Sequence, residues 1–355
     1  MKIAIDVSPI SKSSTSAHKI RGVGFYINLL IENLAKYDKK NKYYFVEDKK
    51  FPEDADLIHY PYFDPFFLTL PRKFRAKTVV TVHDLTPIVY KEHFPAGILG
   101  NIKWIIQKNR LKGVSGVITD SECSKRDIVR ILKFPERKVK VVYLAADPIF
   151  RKLSSEARSR SAGEISKKYS LPEDFLLYVG DATWNKNLPK LIDAVSKTSF
   201  RLVLVGKVWE NKSSEIPKNP WNDDLASVLK RIENDSRFIR LGFVPTEDLI
   251  RIYNLATCLV LPSIYEGFGL PILEAMQSGC PVICSNSSSL SEIAQDSALF
   301  FDSQNTDSIK DAILRVFQDS LLRKKLSQDG LKQAQKFSWK KTAEETIRAY
   351  EEFAK

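Results

Sequence analysis

Histidine and cysteine are scarce in this chain, with four of each among 355 residues. The histidines are too scattered for a metal cluster, and Cys123, Cys258, Cys280 and Cys284 lack metal-ligand spacing. Cys258 and Cys284 sit in apolar, strand-like runs, so the cysteines read as reduced core thiols of a cytoplasmic protein. No run of about 18 apolar residues occurs, which excludes a membrane-spanning helix. The opening Met1-Lys2-Ile3-Ala4-Ile5-Asp6 has the pattern of a short strand and not of a secretory leader. Zinc-finger and RNP sequences are also missing, which argues against nucleic acid as a partner despite a net charge of +12. That charge leaves two readings, a contact with an anionic membrane or an ordinary solvated surface.

What is present suits a globular chain long enough for two domains, with 43% hydrophobic and 28% charged residues. Apolar runs alternate with helical patterns throughout, the mark of parallel α/β layers. Strands are expected at Lys2–Val7, Tyr43–Val46, Leu57–Tyr60, Thr78–Val82, Val117–Thr119 and Val139–Tyr143. Helices fall near Gly24–Tyr37, Ile98–Lys112 and Ser124–Leu132. Arg151–Lys168 is polar without a strand pattern and reads as a linker. The alternation then restarts, with strands at Phe175–Val179, Leu202–Val205, Phe238–Leu241, Cys258–Leu261 and Val282–Cys284. Helices are expected at Leu188–Lys197, Thr246–Ala256, Leu270–Ser278, Leu290–Gln295, Thr306–Gln318, Ser320–Gln335 and Trp339–Phe353. The implied division is 1–165, 170–337 and a closing helix over 338–355.

The densest chemistry lies between Ser263 and Glu274, where seven residues separate Glu266 from Glu274 and the gap holds Gly267 and Gly269. A buried strand leads in and a helix follows. A glycine-bearing turn at a helix N-terminus lets backbone N–H groups approach a phosphate. The carboxylates suit sugar or ribose hydroxyls beside it. The plainer reading is helix-dipole compensation by ordinary acidic residues.

The segment Pro262 to Glu274 resembles the E-x7-E signature of retaining glycosyltransferases of family 4, also called glycosyl transferases group 1. That resemblance implies the GT-B architecture: two facing Rossmann-like domains, a cleft between them and a last helix crossing back onto the first domain. It extends over essentially the whole chain, with the motifs in the family's order.

By this likeness Glu266 contacts the donor sugar, Gly267, Phe268, Gly269 and Leu270 offer backbone groups, and Glu274 holds the nucleotide ribose. The turn beginning at Gly180 and running through Asn185-Lys186-Asn187-Leu188 resembles the family's Gly-x5-Lys-Asn-Leu turn, with Lys186 facing the leaving diphosphate. Many relatives carry arginine where Asn185 stands and a basic residue where Asp181 stands. Lys207 fits either a substitute cation or a solvated lysine. Gly242-Phe243-Val244-Pro245 resembles the segment against the base, with Val244 in contact.

In the first half, Thr81-Val82-His83-Asp84-Leu85 resembles the His-Asp-Leu region of family mannosyltransferases and puts His83 near the reacting carbon. Gly22 and Gly24 resemble a glycine loop near the donor phosphates. Relatives often have arginine at Phe25, so a cation there is lost or moved to Lys19 or Arg21. Thr119–Ser124 reads as a strand running into a helix capped by Ser121 or Ser124.

His59 to Phe67, followed by Arg72, Lys73, Arg75 and Lys77, interleaves aromatic and basic residues, as does Ile98–Lys112. Such surfaces suit an anionic membrane or a lipid-linked acceptor; the plainer reading is that the aromatics cover the core.

The combined motifs look most like bacterial α-mannosyltransferases using GDP-mannose, acting on a saccharide or lipid-linked acceptor without a metal or other cofactor. A UDP-sugar-dependent enzyme of the same fold, an epimerase or phosphorylase on it, and a silent nucleotide-sugar-binding scaffold are the rivals.

Overall fold

The computed structural model describes residues 1–11 and 22–355, so Lys19 and Arg21 lie outside the described residues. The chain divides into two compact units, Met1–Ala145 with Phe337–Lys355, and Ala146–Lys336.

Unit one runs β1 (Lys2–Asp6), α1 (Gly22–Tyr37), β2 (Lys42–Val46), β3 (Leu57–Tyr60), β4 (Lys77–Thr81), α2 (Thr86–Val89), α3 (Gly97–Leu111), β5 (Gly116–Thr119), α4 (Glu122–Leu132) and β6 (Val139–Val141). Its six strands are parallel, in the order β2-β1-β3-β4-β5-β6. Every residue of β3 and β5 is buried, so these strands do not alternate between buried and exposed positions. The edge strand β2 exposes Lys42 and Phe45.

The aromatic residues of unit one divide between core and surface. Tyr60 and Phe63 join the core, with Phe74 and Trp104 packed against it. Phe67 remains 54% exposed.

Unit two runs α5 (Ser155–Tyr169), β7 (Leu176–Val179), α6 (Leu188–Ser196), β8 (Leu202–Val205), α7 (Asp223–Ile232), β9 (Phe238–Gly242), α8 (Thr246–Leu255), β10 (Cys258–Leu261), α9 (Leu270–Gln277), β11 (Val282–Ser285), α10 (Ser288–Ala294), β12 (Leu299–Phe301), α11 (Thr306–Gln318) and α12 (Ser320–Ala334). Its six strands are also parallel, ordered β12-β11-β10-β7-β8-β9. The four cysteines are buried free thiols.

The segment read as a linker is instead the helix α5, and the division between units falls after Ala145, not near 165. Only Ser161 and Ile165 of α5 are buried, so no apolar stripe announces it. Polar contacts with α8 hold it: Lys168 Nζ and Tyr169 OH donate to Asp248 Oδ2 at 2.6 and 2.7 Å, and Arg251 pairs with Glu164. Ser154 caps its start through the N–H of Ala157.

The closing helix α13 (Trp339–Phe353) belongs to unit one and packs on α1, β4 and β5. Phe25 meets the Trp339 ring edge-on at 6.1 Å, which gives that position a packing role where relatives often carry arginine. Phe353 lies over Gly116, whose missing Cβ would sit 2.4 Å from the ring. Thr342 Oγ1 donates to Tyr143 O at 2.7 Å.

Candidate functional site

In unit two the strand order reverses between β10 and β7: the chain leaves β7 towards β8 and β9, then returns to β10 on the other side. At such a switch point the loops after neighbouring strands diverge and leave room for a ligand at their carboxyl ends. Lys186 follows β7 and Glu266 follows β10, and the two meet there. Lys186 Nζ donates to Glu266 Oε1 at 2.7 Å and Oε2 at 2.8 Å, with the side chains 22% and 13% exposed.

Lys186 ends a short 3-10 turn, and Asn187 takes left-handed backbone angles (φ 56°, ψ 35°) before α6 begins. The flanking asparagines fix this turn to the loop after β10. Asn185 donates from Nδ2 to Tyr265 O at 2.9 Å, and its carbonyl accepts from Ile264 N at 2.7 Å. Asn187 Nδ2 donates to Pro262 O at 3.0 Å and Ser303 O at 2.8 Å. Buried amide bonds of this kind contribute about 1 kcal/mol each, and more is lost when one partner is stranded. Asn185 thus serves as a staple where many relatives have arginine.

Serines set the shape of the glutamate loop. Ser263 Oγ donates to Glu266 Oε1 at 2.7 Å, Ser288 Oγ accepts the Glu266 N–H at 2.9 Å, and Ser289 Oγ donates to the carbonyls of Glu266 and Phe268. Gly269 precedes α9 at φ 97°, and a Cβ there would fall 2.7 Å from Leu290 Cδ2. Phe268 is buried, while Leu270 begins the helix partly exposed. The N-cap residue of α9 is Gly269, which has no side chain to cap the helix, so the positive end of its dipole suits an anion.

Glu274, one turn further along α9, is partly buried and accepts from Tyr253 OH of α8 at 2.8 Å. Burial pushes its carboxyl up from 4.5 to about 7; the Tyr253 hydrogen bond opposes this and the Asp147 charge adds to it. A carboxyl so poised can accept from the hydroxyls of a ribose once ionised.

The other loops at this edge follow β8 and β9. Gly206 approaches Gly180 so closely that a Cβ would lie 2.3 Å from the Gly180 carbonyl oxygen, which also accepts from Trp209 Nε1 at 3.1 Å. Lys207 is exposed and forms no ion pair among the described residues. Asp181 accepts from Thr183 Oγ1 at 3.3 Å. Val244 is buried, whereas Phe243 is 63% exposed and donates its N–H to Glu210 Oε1 at 2.8 Å.

In unit one, His83 lies just after β4. Its Nδ1 is 2.7 Å from Asp120 Oδ2, after β5, and its Nε2 is 3.2 Å from the Pro61 carbonyl oxygen, after β3. Burial also raises the pKa of Asp120, against the pull of His83; with that carboxylate ionised, it and the Pro61 carbonyl only accept, and the geometry suits an imidazolium donating from both nitrogens. Burial works to lower the pKa of His83, but the adjoining Asp120 carboxylate outweighs it and the net direction is up. Ser121 caps α4 as the sequence suggests, by accepting from Ser124 N. The partner role of Asp120 carries no signal in that capping pattern.

A buried polar chain backs His83. Tyr350 OH of α13 meets His59 Nδ1 at 2.7 Å, His59 Nε2 meets Thr81 Oγ1 at 2.8 Å, and Thr81 Oγ1 meets Tyr26 OH at 3.1 Å. The Tyr26 ring stands perpendicular to the His83 imidazole, centroids 4.8 Å apart. Burial, aided by the charge of His83, pulls His59 down to about 3, which keeps this second histidine neutral. Gly22 opens α1 exposed, and Gly24 is buried within it.

Residues 22–149 match the family model described as Glycosyltransferase Family 4, and residues 162–333 the model described as Glycosyl transferases group 1. The chain is 33% identical over 304 residues to O-antigen chain mannosyltransferase B of Escherichia coli, covering 83% of this chain and 75% of that one. It is 26% identical over 278 residues to an E. coli serotype-specific mannosyltransferase, covering 77% of this chain and 33% of that one, and so spans about a third of that longer relative. Among solved structures it matches sucrose-phosphate synthase from Thermosynechococcus elongatus with a TM-score of 0.75 at 19% identity, over 99% and 98% of the two chains. It matches Anabaena HepE in complex with UDP and glucose with a TM-score of 0.72 at 17% identity, over 99% and 100%. These structural likenesses speak to the fold.

Proposed function

The chain belongs to the family 4 glycosyltransferases with the GT-B fold, and we propose that it is a retaining mannosyltransferase that takes its sugar from GDP-mannose. The observation that carries this reading is the Lys186–Glu266 pair at the switch point of unit two, beside the uncapped start of α9. An unpaired glutamate there would repel a diphosphate. Paired with Lys186, it leaves the corner near neutral and keeps acceptor oxygen for sugar hydroxyls.

In this scheme the diphosphate lies against the N–H groups of the Gly267–Leu270 turn, with Lys186 as its cation. Glu266 accepts from the donor sugar, Glu274 from the ribose, and the Gly242–Pro245 turn borders the base. The bond between the anomeric carbon and the diphosphate oxygen breaks while the acceptor hydroxyl attacks from the same face. The acceptor's proton passes to the departing diphosphate. Negative charge gathers on the diphosphate in the transition state, where a preorganised cation and backbone N–H groups act most strongly. We assign His83, held as an imidazolium by Asp120, to the surroundings of the reacting carbon. No metal enters the scheme, and the cytoplasm is the setting it implies.

The name of the E. coli relative at 33% identity supports mannose, and a hydroxyl of a saccharide or lipid-linked acceptor is the class we propose for the second substrate. The test supplies GDP-mannose and UDP-glucose separately with a mannose-terminated oligosaccharide and reads the product's anomeric configuration by NMR. We expect α-linked mannose from GDP-mannose. Transfer from UDP-glucose alone would overturn the donor, and a β-linked product would overturn retention.

A further inference from the structure

One face of unit one is apolar and open. On α3, Ile98, Leu99, Ile102 and Ile105 are 82%, 73%, 49% and 60% exposed, and on the neighbouring loop Phe67 and Leu68 are 54% and 46% exposed. At the helical repeat the four aliphatic side chains fall within an arc of about 120°. The opposite side of α3 carries the buried Gly100, Gln107 and Leu111. Single exposed aliphatics are ordinary; a cluster of this size on adjoining elements marks a contact surface.

The chain fixes this surface. Buried Gln107 donates from Nε2 to Asp64 O at 3.1 Å and Thr69 Oγ1 at 2.6 Å, and its Oε1 accepts from Leu70 N at 3.4 Å. Asp64 Oδ1 accepts the N–H groups of Phe66 and Phe67 at 2.7 and 3.0 Å. Arg110 donates to Leu70 O. The loop is therefore strapped to α3 with Phe67 and Leu68 left in solvent.

The rim is basic. By the same helical geometry Lys103 and Arg110 flank one edge of the apolar arc and Lys112 the other, while Lys108 donates to Ile131 O at 2.9 Å. Lys103 Nζ stands 5.3 Å from the centre of the Phe67 ring. Residues 65–113 hold nine lysines and arginines against two acidic residues. We propose that this face docks on an anionic lipid bilayer, with the six apolar side chains entering the boundary between headgroups and acyl chains and the basic rim on the lipid phosphates. Long basic side chains suit that position, because their stems lie along apolar surface while their charges reach the headgroups. A symmetric pair of copies fits less well, because it would set the basic rim against itself. The inference stands whichever sugar nucleotide the enzyme uses.

The test is flotation of the full chain with vesicles of equal phosphatidylglycerol and phosphatidylcholine, and with phosphatidylcholine alone, at low and high salt. The variants are Ile98→Ser/Ile102→Ser/Ile105→Ser and Lys103→Gln/Lys112→Gln, each checked for an unchanged unfolding temperature and an unchanged circular dichroism spectrum. We expect wild type to float with the anionic vesicles at low salt and less with phosphatidylcholine. The triple serine variant should lose about tenfold or more of that binding, and the lysine variant should lose part of it together with its salt dependence. Wild type that stays unbound, or a triple variant that floats equally well, would overturn the proposal. So would a concentration-dependent dimer abolished by the serine changes without any effect on vesicle binding.

Discussion

Replacing Glu274 by glutamine should make the protein more stable while making it worse at holding a nucleotide. In the structure this carboxyl is partly buried on α9, with Tyr253 OH as its hydrogen-bond donor, and burial moves it from 4.5 to about 7. Holding it ionised in the folded protein therefore costs about 3 kcal/mol relative to the unfolded chain. Because the folded value is raised, the unfolded chain gives up its proton first as pH climbs. Stability is complete below about 4.5 and is lost as pH rises to about 7. Glutamine keeps an acceptor for Tyr253 and carries no charge. Urea unfolding should show the two proteins alike near pH 4.5, with the glutamine variant ahead by about 3 kcal/mol near pH 8.5. The same carboxyl should bind ribose hydroxyls better when ionised, so GDP affinity should rise through pH 7 in wild type by more than in the variant. A stability difference independent of pH, or none at pH 8.5, would refute the reasoning.

Lys186→Ala should lower turnover by about a hundredfold to a thousandfold, with a smaller change in donor affinity, because the charge it meets develops in the transition state; single-turnover kinetics with separately measured donor binding will show it. Asp120→Asn should remove the charge that raises His83 and leave burial to lower its pKa, moving the imidazole titration downwards by NMR. In wild type the stability that this pair contributes should be present below about pH 6.5 and fade as pH rises through the raised His83 value. Gly116→Ala should push a Cβ into the Phe353 ring and destabilise the seat of α13 by about 1–3 kcal/mol, seen as faster proteolysis of the C-terminal helix. Turnover should be unchanged in EDTA, and its loss would reject the metal-free scheme.

Much of the fold was legible because parallel strands buried on both faces leave unbroken apolar runs. Leu202–Val205 and Cys258–Leu261 stand where their sequence pattern puts them. Elements held by polar or short-range contacts were not. The helix α5 buries too little to show a period, and β12 spans only Leu299–Phe301. The helix α7 is a different case: Leu225, Val228, Leu229 and Ile232 form a helical stripe, and its period was legible but not among the expected helices.

At the candidate site, the spacing of Glu266 and Glu274 and the turn at Lys186 pointed to the loops that the fold assembles at one sheet edge. Most of what holds those side chains was hidden, since Ser288, Ser289 and Tyr253 act from other elements more than twenty residues away, as Asp120 does on His83; Ser263, three residues from Glu266, lies inside the motif itself. The departures from the family pattern at Asn185 and Phe25 looked like lost cations. In the structure each has a local task, one as a staple between loops and the other as a ring against Trp339.

The most direct test of the central claim is a calorimetric titration of wild type and Glu274→Ala with GDP, UDP and ADP side by side. The account predicts selective binding of GDP that weakens by about tenfold or more in the variant, since a charge-assisted pair of hydroxyl contacts is lost. Failure of wild type to bind any of the three, or equal binding by wild type and variant, would contradict it.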